Sequence, residues 1–333
     1  MTDIKKIAIV TVFGKFSQSI NYHTSLKLDL FVSELESEGF PCVTIDLFDA
    51  MNNGLPKGCG YIIVGGHPDQ EAHRALCDFS YVCEKSGIKV LPSLDTLLCY
   101  ENKGLQGLLS LRYDYAFVRQ SYHCSPDGEF QETRVYKTVS GAGSSGVALV
   151  TNPKQILKLS ALGSIKLVKA GSALRLLKMF LASFILESAR ARFKVLRPHV
   201  RFVLQRFQAG LDYDYKVIVF FNRVYVLKRY VRDGDFRASG SGNFFFEEPS
   251  EQLLNFSLEQ TRKINVPYLA MDIIPLGDEF KIIEFQSVHF GPYTQVNAEY
   301  YYEKSVDGWQ RCKADSSLEQ DYAHAISKYL LHI

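Results

Sequence analysis

The chain has 333 residues, of which 47% are hydrophobic and 22% are charged, and its 38 Lys and Arg residues nearly balance its 36 Asp and Glu residues. This composition is typical of a folded globular protein, and a net charge of +2 excludes a disordered polyelectrolyte and disfavours a nucleic-acid binder, for which a basic domain or stripe is expected. The length predicts two or three domains.

The amino-terminal segment MTDIKKIAIVTVFG leads directly into a β-branched strand pattern and lacks the regions of a secretory signal, which predicts a cytoplasmic protein. The seven cysteines are scattered and include no C-x-x-C pair, so neither a disulfide framework nor a zinc site is indicated. The most apolar stretch, residues 176–186, contains Lys178 and is shorter than the ~20 residues of a transmembrane helix. It favours a core helix, and packing against a membrane or a partner is the weaker alternative.

The first third of the chain alternates strand and helix patterns. Strands are predicted at 7–12, 41–48, 61–66 and 88–93, and helices at 25–39 and 69–87. This β-α-β alternation predicts an amino-terminal parallel α/β domain, residues 1–112.

The pattern then changes to a small α+β module and a mainly antiparallel domain. In the module, residues 113–200, we expect strands at 133–140, 146–150 and 164–170, a short helix at 153–163 and a long helix at 171–193. In the last domain, residues 201–333, we expect strands at 214–221, 223–231, 268–276 and 280–288 and a closing helix at 317–331. The predicted fold class is therefore α/β combined with α+β.

A glycine-rich segment follows a strand that carries Lys137. Residues 140–146, SGAGSSG, are all Gly, Ala or Ser, and small residues let backbone N–H groups approach a polyphosphate while a lysine adds a cation for the same anion. The spacing is not that of a P-loop, because no Gly-Lys-Ser/Thr follows. A flexible hairpin turn is the alternative.

Oxygen ligands converge on two successive predicted strands near the carboxyl terminus. Asp272 lies on the first strand, and Glu284 and Gln286 lie two residues apart on the second, so they project to the same face. Carboxylate oxygens completed by water and phosphate suit Mg²⁺. Acidic residues facing solvent are the alternative, but apolar neighbours would make an unpaired carboxylate costly.

Cations cluster between these two motifs. Arg229 ends a predicted strand and Arg237 follows in a polar, glycine-rich loop, where guanidinium groups can bind phosphate or carboxylate oxygens in bidentate fashion. A solvated basic hairpin is the alternative.

The order of these motifs resembles the ATP-grasp superfamily of carboxylate–amine ligases over residues 92–293, and the glutathione-synthetase-like branch that includes glutamate ligases acting on a ribosomal protein. The segment KRYVRDGDFRASGSGN carries the most specific similarity. LLCYENKGLQGLLS is similar to the family's Asp-Lys helix, and LQRFQ to its adenine-binding hinge. The nucleotide-binding residues that the resemblance implies are Lys103, Lys137, Ser140, Gly141, Gly143, Ser144, Ser145, Gly146, Gln205, Arg206, Phe207 and either Asp212 or Asp214.

The resemblance also implies an ATP-grasp fold and a chemistry. ATP and Mg²⁺, with Mn²⁺ as the alternative metal, are the expected cofactors, and the metal ligands are Asp272, Glu284 and Gln286. Arg229 would stabilise an acylphosphate and Arg237 would bind a substrate carboxylate. Two departures stand out, because Asn102 replaces the family's aspartate and Gln286 replaces its asparagine.

The substrates are a carboxylate and an amine, and amino acids, peptides and amino sugars all stay open. Substrate contacts are expected from His67, Asn243, His289 and Tyr293. No nucleic-acid partner and no transmembrane segment are expected, and homo-oligomerisation is left open. Two alternatives to the ligase share its nucleotide site: an ATP-grasp kinase or ligase with a non-amine acceptor, and a nucleotide-binding protein without turnover.

Overall fold

The computed structural model describes residues 6–16, 26–125, 132–141, 146–166, 170–196 and 199–332. The chain divides into two compact units. Unit 1 combines residues 1–117 with residues 210–333, and unit 2 comprises residues 118–209. The domain boundaries expected after residues 112 and 200 stay predictions, but the amino- and carboxyl-terminal parts of the chain group together in unit 1.

The amino-terminal part of unit 1 is a four-stranded parallel sheet of order β2-β1-β3-β4. Its strands are β1 (Lys6–Thr11), β2 (Cys42–Asp46), β3 (Cys59–Val64) and β4 (Lys89–Leu91), and its helices are α1 (Leu28–Ser37), α2 (Leu47–Asn53), α3 (Gln70–Lys85) and α4 (Leu94–Leu98). The strand expected to run to residue 48 ends at Asp46, because the Asp46 side chain caps α2 by accepting a hydrogen bond from Phe48 N. The alternating pattern of this region is confirmed.

After α5 (Lys103–Tyr113) the chain enters unit 2, a four-stranded antiparallel sheet of order β5-β8-β6-β7. The strands are β5 (Gln120–His123), β6 (Arg134–Thr138), β7 (Val147–Val150) and β8 (Phe202–Arg206), and the helices are α6 (Pro153–Lys166), α7 (Ala170–Ala182) and α8 (Glu187–Leu196). The strand predicted at 164–170 is wrong, because residues 164–166 continue α6 and α7 begins at Ala170.

The single long helix predicted at 171–193 is also wrong, because the chain turns between Ala182 and Glu187. Phe180 on α7 contacts Phe193 on α8, with ring centroids 5.4 Å apart, so aromatic packing joins the two helices as a hairpin. Arg190 Nε donates to the Ser183 carbonyl at 3.2 Å and satisfies a carbonyl group at the end of α7. None of the helices within the described ranges is both long enough and apolar enough to span a bilayer.

The carboxyl-terminal part of unit 1 is an antiparallel sheet of order β13-β12-β9-β10-β14-β15, with β11 paired to β10. The strands are β9 (Tyr213–Phe220), β10 (Arg223–Tyr230), β11 (Phe244–Phe245), β12 (Tyr268–Leu276), β13 (Glu279–Gln286), β14 (Tyr300–Ser305) and β15 (Gly308–Lys313). The helices are α9 (Glu251–Ile264), α10 (Tyr293–Asn297) and α11 (Leu318–His332). The mainly antiparallel sheet and the closing helix follow the sequence pattern.

One hydrophobic core joins the two sheets of unit 1. It contains Ile7 and Phe31 from the amino-terminal part together with Phe220, Tyr268 and Tyr322 from the carboxyl-terminal part, all at most 1% exposed. Tyr322 lies on α11, so the last helix of the chain packs against residues from both ends of the sequence. The loops that follow β3 and β13 are thereby held in one body.

Helix α11 is anchored by Asp321, whose side chain is fully buried. Its carboxylate accepts hydrogen bonds from Arg223 (3.0 Å), Tyr225 (2.7 Å), Gln295 (2.9 Å) and Ser316 (3.0 Å). A buried carboxylate with four donors is fully satisfied, whereas loss of its cation would leave an uncompensated charge. Because Gln295 lies on α10, the same network fixes the short helix that follows β13.

The pH dependence of stability is expected to come partly from His324, beside this anchor. Burial, followed by the positive charges of Arg223 and Lys328, lowers the pKa of His324 to about 4. Between pH 6.5 and 4 the unfolded chain therefore binds more protons at this position, and the free energy of unfolding falls as the pH falls. For one partly exposed group we expect about 0.5–1 kcal/mol per pH unit.

The variant His324→Gln tests this, because glutamine does not titrate and retains a donor for Asn222 Oδ1, which lies 2.8 Å from His324 Nε2. Urea unfolding of the two proteins between pH 6.5 and 4 should show a flatter dependence for the variant. The same pH dependence of the free energy of unfolding in both proteins would contradict the contribution of His324.

Candidate active site

Helix α5 begins at the lysine that the family resemblance assigns to nucleotide phosphate. The side chain of Asn102 accepts a hydrogen bond from Leu105 N at 3.3 Å and caps this helix. Asn and Asp are similarly good N-cap residues, so the departure from the family pattern at Asn102 retains its local structural role. Lys103 is thereby placed in the first turn, where it is 6% exposed.

Lys103 and Glu284 form an ion pair, with Nζ and Oε1 3.3 Å apart. Glu284 lies on the edge strand β13, and the sequence had assigned these two residues to different ligands, a phosphate and a metal ion. The Lys103 side chain is 7% exposed and that of Glu284 is 22% exposed, so the pair is shielded from bulk water. Loss of either partner would leave the other charge partly buried without this contact.

Gln106, one turn further along α5, holds strand β13 in place. Its side-chain Nε2 donates to the Phe285 carbonyl at 2.8 Å, and its Oε1 accepts from Phe285 N at 3.2 Å. Gln106 is 1% exposed, and its own backbone carbonyl accepts from the hydroxyl of Tyr115. Sequence reasoning missed Gln106, because nothing in the helix pattern distinguishes it from an exposed glutamine.

The carboxylates of Asp272 and Glu284 lie on directly paired positions of β12 and β13. Phe285, between Glu284 and Gln286, packs into the core, so these two residues face away from it. On the other side of β12, Asp272 pairs with Lys216 of β9, and the ammonium lies 2.9 Å from Asp272 Oδ1. The predicted convergence of Asp272 and Glu284 on one patch of the sheet is therefore found.

Arg229 completes the patch from the next strand, β10. Its guanidinium makes a bidentate pair with Asp214, at 2.7 and 2.9 Å, and lies 3.1 Å from Asp272 Oδ2. Arg229 and Asp214 are 7% and 6% exposed. Asp214 and Asp212 were the two residues expected to bind ribose. The carboxylate of Asp214 is bound to Arg229, whereas Asp212 is exposed. Lys216 and the Asp214 pairing were not anticipated.

The charges in this patch determine one another's pKa. Burial raises the pKa of Asp272, but Arg229 and Lys216 outweigh burial and hold that pKa below its usual value. Burial lowers the pKa of Arg229, and the charges of Asp272 and Asp214 outweigh it and raise that pKa. The patch therefore keeps an ionised aspartate beside a permanently charged guanidinium.

The donor set is compatible with a magnesium ion. Oδ1 of Asp272 is buried and lies 2.9 Å from the Lys216 ammonium, and a carboxylate oxygen has two lone pairs, so one of them is available to a further cation. In the part of the chain that the structure describes, no group of three or more His, Cys, Asp and Glu side chains is arranged to hold a metal ion. Mg²⁺ commonly takes only one or two carboxylates, with water and phosphate completing its shell. The metal assignment of Asp272, Glu284 and Gln286 stays a prediction.

Arg237 is held in the loop after β10 by a carboxylate on the same loop. Its guanidinium makes hydrogen bonds of 2.7–3.0 Å to Asp235, and this contact lowers the pKa of Asp235 to about 2. Arg237 is thus preorganised, with its charge partly compensated, before any substrate carboxylate binds. Asn243, at the end of the same loop, is exposed, and its carbonyl accepts from Tyr230 N at 3.0 Å.

Two of the predicted substrate residues lie near each other at the carboxyl end of the parallel sheet. A Cβ on Gly66 would lie 2.8 Å from Cβ of His289, so the loop after β3, which carries His67, touches the loop after β13. His289 packs edge-on against Tyr100, with centroids 5.8 Å apart, and His67 accepts from Asp69 N at 3.1 Å. Tyr293 begins α10 and is 48% exposed.

The remaining nucleotide candidates lie in unit 2. Lys137 is 8% exposed on β6, paired with Val147 of β7 and Val203 of β8. Ser140 and Gly141 follow β6, and Gly146 precedes β7; its φ of 74° and its approach to Thr138 leave no room for a Cβ. Gly143, Ser144 and Ser145 lie outside the described residues. Gln205, 3% exposed, and Arg206 end β8 and Phe207 follows it.

The chain is similar to known proteins in its fold and not in its sequence. No family model matches the chain, and no curated protein matches it. Among solved structures, a RimK-domain ATP-grasp protein from Sphaerobacter thermophilus matches with a TM-score of 0.54 at 10% identity, over 97% of this chain and 98% of that one. D-alanine–D-alanine ligase from Bacillus anthracis, complexed with ATP, matches with a TM-score of 0.52 at 10% identity, over 98% of each chain.

A third match is the RiPP-associated ATP-grasp ligase of Chryseobacterium gregarium, in complex with ADP and with a leader and a core peptide. Its TM-score is 0.54 at 11% identity, over 98% of this chain and 97% of that one. Because nearly all of both chains is covered in each match, the similarity extends over the whole architecture. Because the sequence identity is so low, the similarity is one of fold alone.

Proposed function

We propose that this chain, which has the ATP-grasp fold, is an ATP-dependent ligase that joins a carboxylate to an amine. The observation that carries the proposal is the charged patch in which buried Arg229 lies 3.1 Å from Asp272 while Glu284, on the adjacent strand, pairs with Lys103. Such alternating cations and carboxylates suit a reaction in which charged phosphoryl oxygens must be aligned and neutralised.

The reaction would proceed in two steps. A substrate carboxylate oxygen attacks the γ-phosphorus of ATP, so that the bond to the β-phosphate oxygen breaks and ADP leaves. The amine nitrogen then attacks the acylphosphate carbon, phosphate departs, and the nitrogen loses a proton as the amide forms. Neither step needs a protein nucleophile, so the contribution of the protein is alignment and charge stabilisation.

The side chains divide these tasks between them. Lys103 and Lys137 would each bind nucleotide phosphate, and Arg229 would stabilise the acylphosphate and the oxyanion formed on amine attack. One preorganised contact of this kind is worth about 3 kcal/mol, or roughly a hundredfold in rate. Arg237 would bind a substrate carboxylate in place of some of its contact with Asp235.

Mg²⁺ would be held by Asp272, Glu284 and Gln286, and when bound it supplies positive charge against the phosphate oxygens. Without a metal ion, Lys103 pairs with Glu284 and Lys216 pairs with Asp272. Both ammonium groups would therefore be displaced or reoriented when the metal binds. The donor types and the lone pair on Asp272 support this assignment.

The variant Gln286→Asn tests the amide position, because it restores the residue of the family pattern one methylene shorter. We expect magnesium-dependent ADP release to stay within about tenfold of the parent, since an amide oxygen remains able to bind a hard cation. Gln286→Leu, which has no oxygen donor, should lose far more. Equal activity of the two variants would remove Gln286 from the metal site.

A screen of candidate carboxylates against candidate amines tests the proposed function directly. Release of ADP and phosphate is measured for each pair, and products are identified by mass spectrometry. An amide formed with one ADP per product supports the ligase, and Lys137→Ala should abolish it. ADP release with a phosphorylated product indicates a kinase, and nucleotide binding without any turnover across the screen indicates a binding protein.

A further inference from the structure

We propose that the α7–α8 hairpin docks the protein on the surface of an anionic phospholipid membrane. The hairpin comprises residues 170–196 in unit 2, and the proposed ligase chemistry gives it no role. The inference does not depend on that chemistry, because it rests on the exposed side chains of the hairpin and on the charge of the surrounding sequence.

The hairpin exposes large apolar side chains along α7 and across its turn. Leu177, Leu181 and Ile185 follow one another at intervals of four residues and are 53%, 56% and 84% exposed. Phe184 and Leu186 in the turn add exposures of 67% and 56%. Leu177 and Leu181 lie four residues apart on α7 and therefore share one face of that helix, whereas Ile185 lies beyond the end of α7, in the turn. Together these exposed side chains form an apolar strip that runs from α7 into the turn. Scattered exposed leucines are ordinary, whereas a contiguous strip marks an interaction surface.

The sequence around this strip is strongly basic. Residues 151–200 contain ten Lys and Arg residues and a single acidic residue, Glu187, a net charge of +9 in a chain whose total is +2. The rest of the chain therefore carries a net charge of −7. An apolar strip bordered by cations is complementary to a layer of anionic headgroups above hydrocarbon, and it is less suited to a neutral protein groove.

The side chains that border the strip fit this occupant. Lys178 lies three residues before Leu181, so it flanks the same face of α7, and it is exposed. Long basic side chains can bury their methylene groups while their charge stays at headgroup level. Arg192 on α8 is also exposed. Nucleic acid would use the cations but would leave the apolar turn in water.

The hairpin is already folded in the free chain. The rings of Phe180 and Phe184 lie 4.9 Å apart, Phe180 contacts Phe193, and Arg190 bonds to Ser183 across the turn. A preorganised turn loses little conformational entropy when it docks. The main cost of inserting Phe184, Ile185 and Leu186 into the headgroup region of the membrane would therefore be the desolvation of nearby polar groups.

Vesicle flotation of the full chain tests the proposal. The purified protein is mixed with vesicles of phosphatidylcholine alone or with 40% phosphatidylglycerol, a fraction of roughly the size that makes a surface strongly anionic. We expect it to float with the anionic vesicles and not with the neutral ones, and to dissociate as NaCl is raised, because added salt screens the charges.

Ile185→Glu should reduce flotation at least tenfold, because it places a carboxylate in the apolar turn, on a side chain that is 84% exposed and has few contacts to lose. Val306→Glu is the matched control, since Val306 is fully exposed in the turn between β14 and β15 and should float as the parent does. Lys178→Glu with Arg192→Glu should also weaken binding while melting temperatures stay close to the parent.

Failure to float with anionic vesicles would overturn the proposal, as would equal flotation of Ile185→Glu and the parent. Binding of a soluble polyglutamate peptide or of DNA in place of vesicles, with the same sensitivity to the charge reversals, would also overturn it in favour of a polyanion surface. ADP release, measured on the same samples, reports the proposed ligase activity separately, so that failure of one assignment is distinguishable from failure of the other.

Discussion

Arg229→Met is expected to abolish ADP release and to lower the free energy of unfolding by about 3–5 kcal/mol. Methionine fills the space of the aliphatic part of arginine but has no charge, so it leaves the buried Asp214 without its bidentate partner and removes the guanidinium that lies 3.1 Å from Asp272. Urea unfolding measures the loss of stability. ADP release at a temperature where the variant stays folded measures the loss of turnover.

Arg229→Lys separates charge from geometry. A lysine keeps the positive charge beside Asp214 but cannot reproduce the planar fork, so it should recover part of the stability while turnover stays at least a hundredfold below the parent. Arg223→Lys is the matched control on the same strand, because its partner is Asp321 in the anchor of α11. It should lose stability with little change in kcat. Full activity of Arg229→Lys would contradict a bidentate role.

Glu284→Gln is expected to eliminate magnesium-dependent turnover, a loss of more than a hundredfold in kcat, because an amide is a far weaker ligand for a divalent cation than a carboxylate. The same substitution should also lower stability, because Lys103 is 6% exposed and loses the carboxylate that lies 3.3 Å away. We expect a stability loss of about 1–3 kcal/mol.

The double variant Lys103→Met with Glu284→Gln tests the pairing. Removing both charges should recover most of the stability lost in Glu284→Gln, since no buried ammonium remains, while ADP release stays absent. A double-mutant cycle on urea unfolding gives the coupling energy of the pair. Additive losses would show that Lys103 and Glu284 do not stabilise each other.

Sequence reasoning predicted the local structure well where a motif and a strand coincide. Strand β12 has the predicted bounds, 268–276, and Asp272 pairs directly with Glu284 on the neighbouring strand, in accord with the expected convergence of their carboxylates. What could not be predicted is which partners come from distant strands. Lys216 and Asp214 join the patch only through the pairing of β9 with β12 and β10, and the registers of those pairs are set by the whole sheet.

The helical part of unit 2 was predicted less well for a different reason. The helical pattern predicted over residues 171–193 has no glycine or proline after Gly171, so nothing in it marks the turn that follows Ala182, and that turn is stabilised by the tertiary contact between Phe180 and Phe193. The basic character of residues 151–200 was overlooked because their positive charge is cancelled by the acidic rest of the chain in the total of +2. Local charge, counted segment by segment, would have identified it.

The contact between Gln106 and Phe285 has a consequence for the fidelity of folding. β13 lies at one edge of its sheet and contains an irregularity, since Asp272 pairs with Glu284 while Ile273 pairs with Ile282, leaving Ile283 as an extra residue. A slip by one position there would turn Glu284 toward the hydrocarbon interior. The side-chain amide of Gln106 bonds to both the N–H and the carbonyl of Phe285. These two bonds form only in the observed register of β13, and a strand shifted by one residue would lose them.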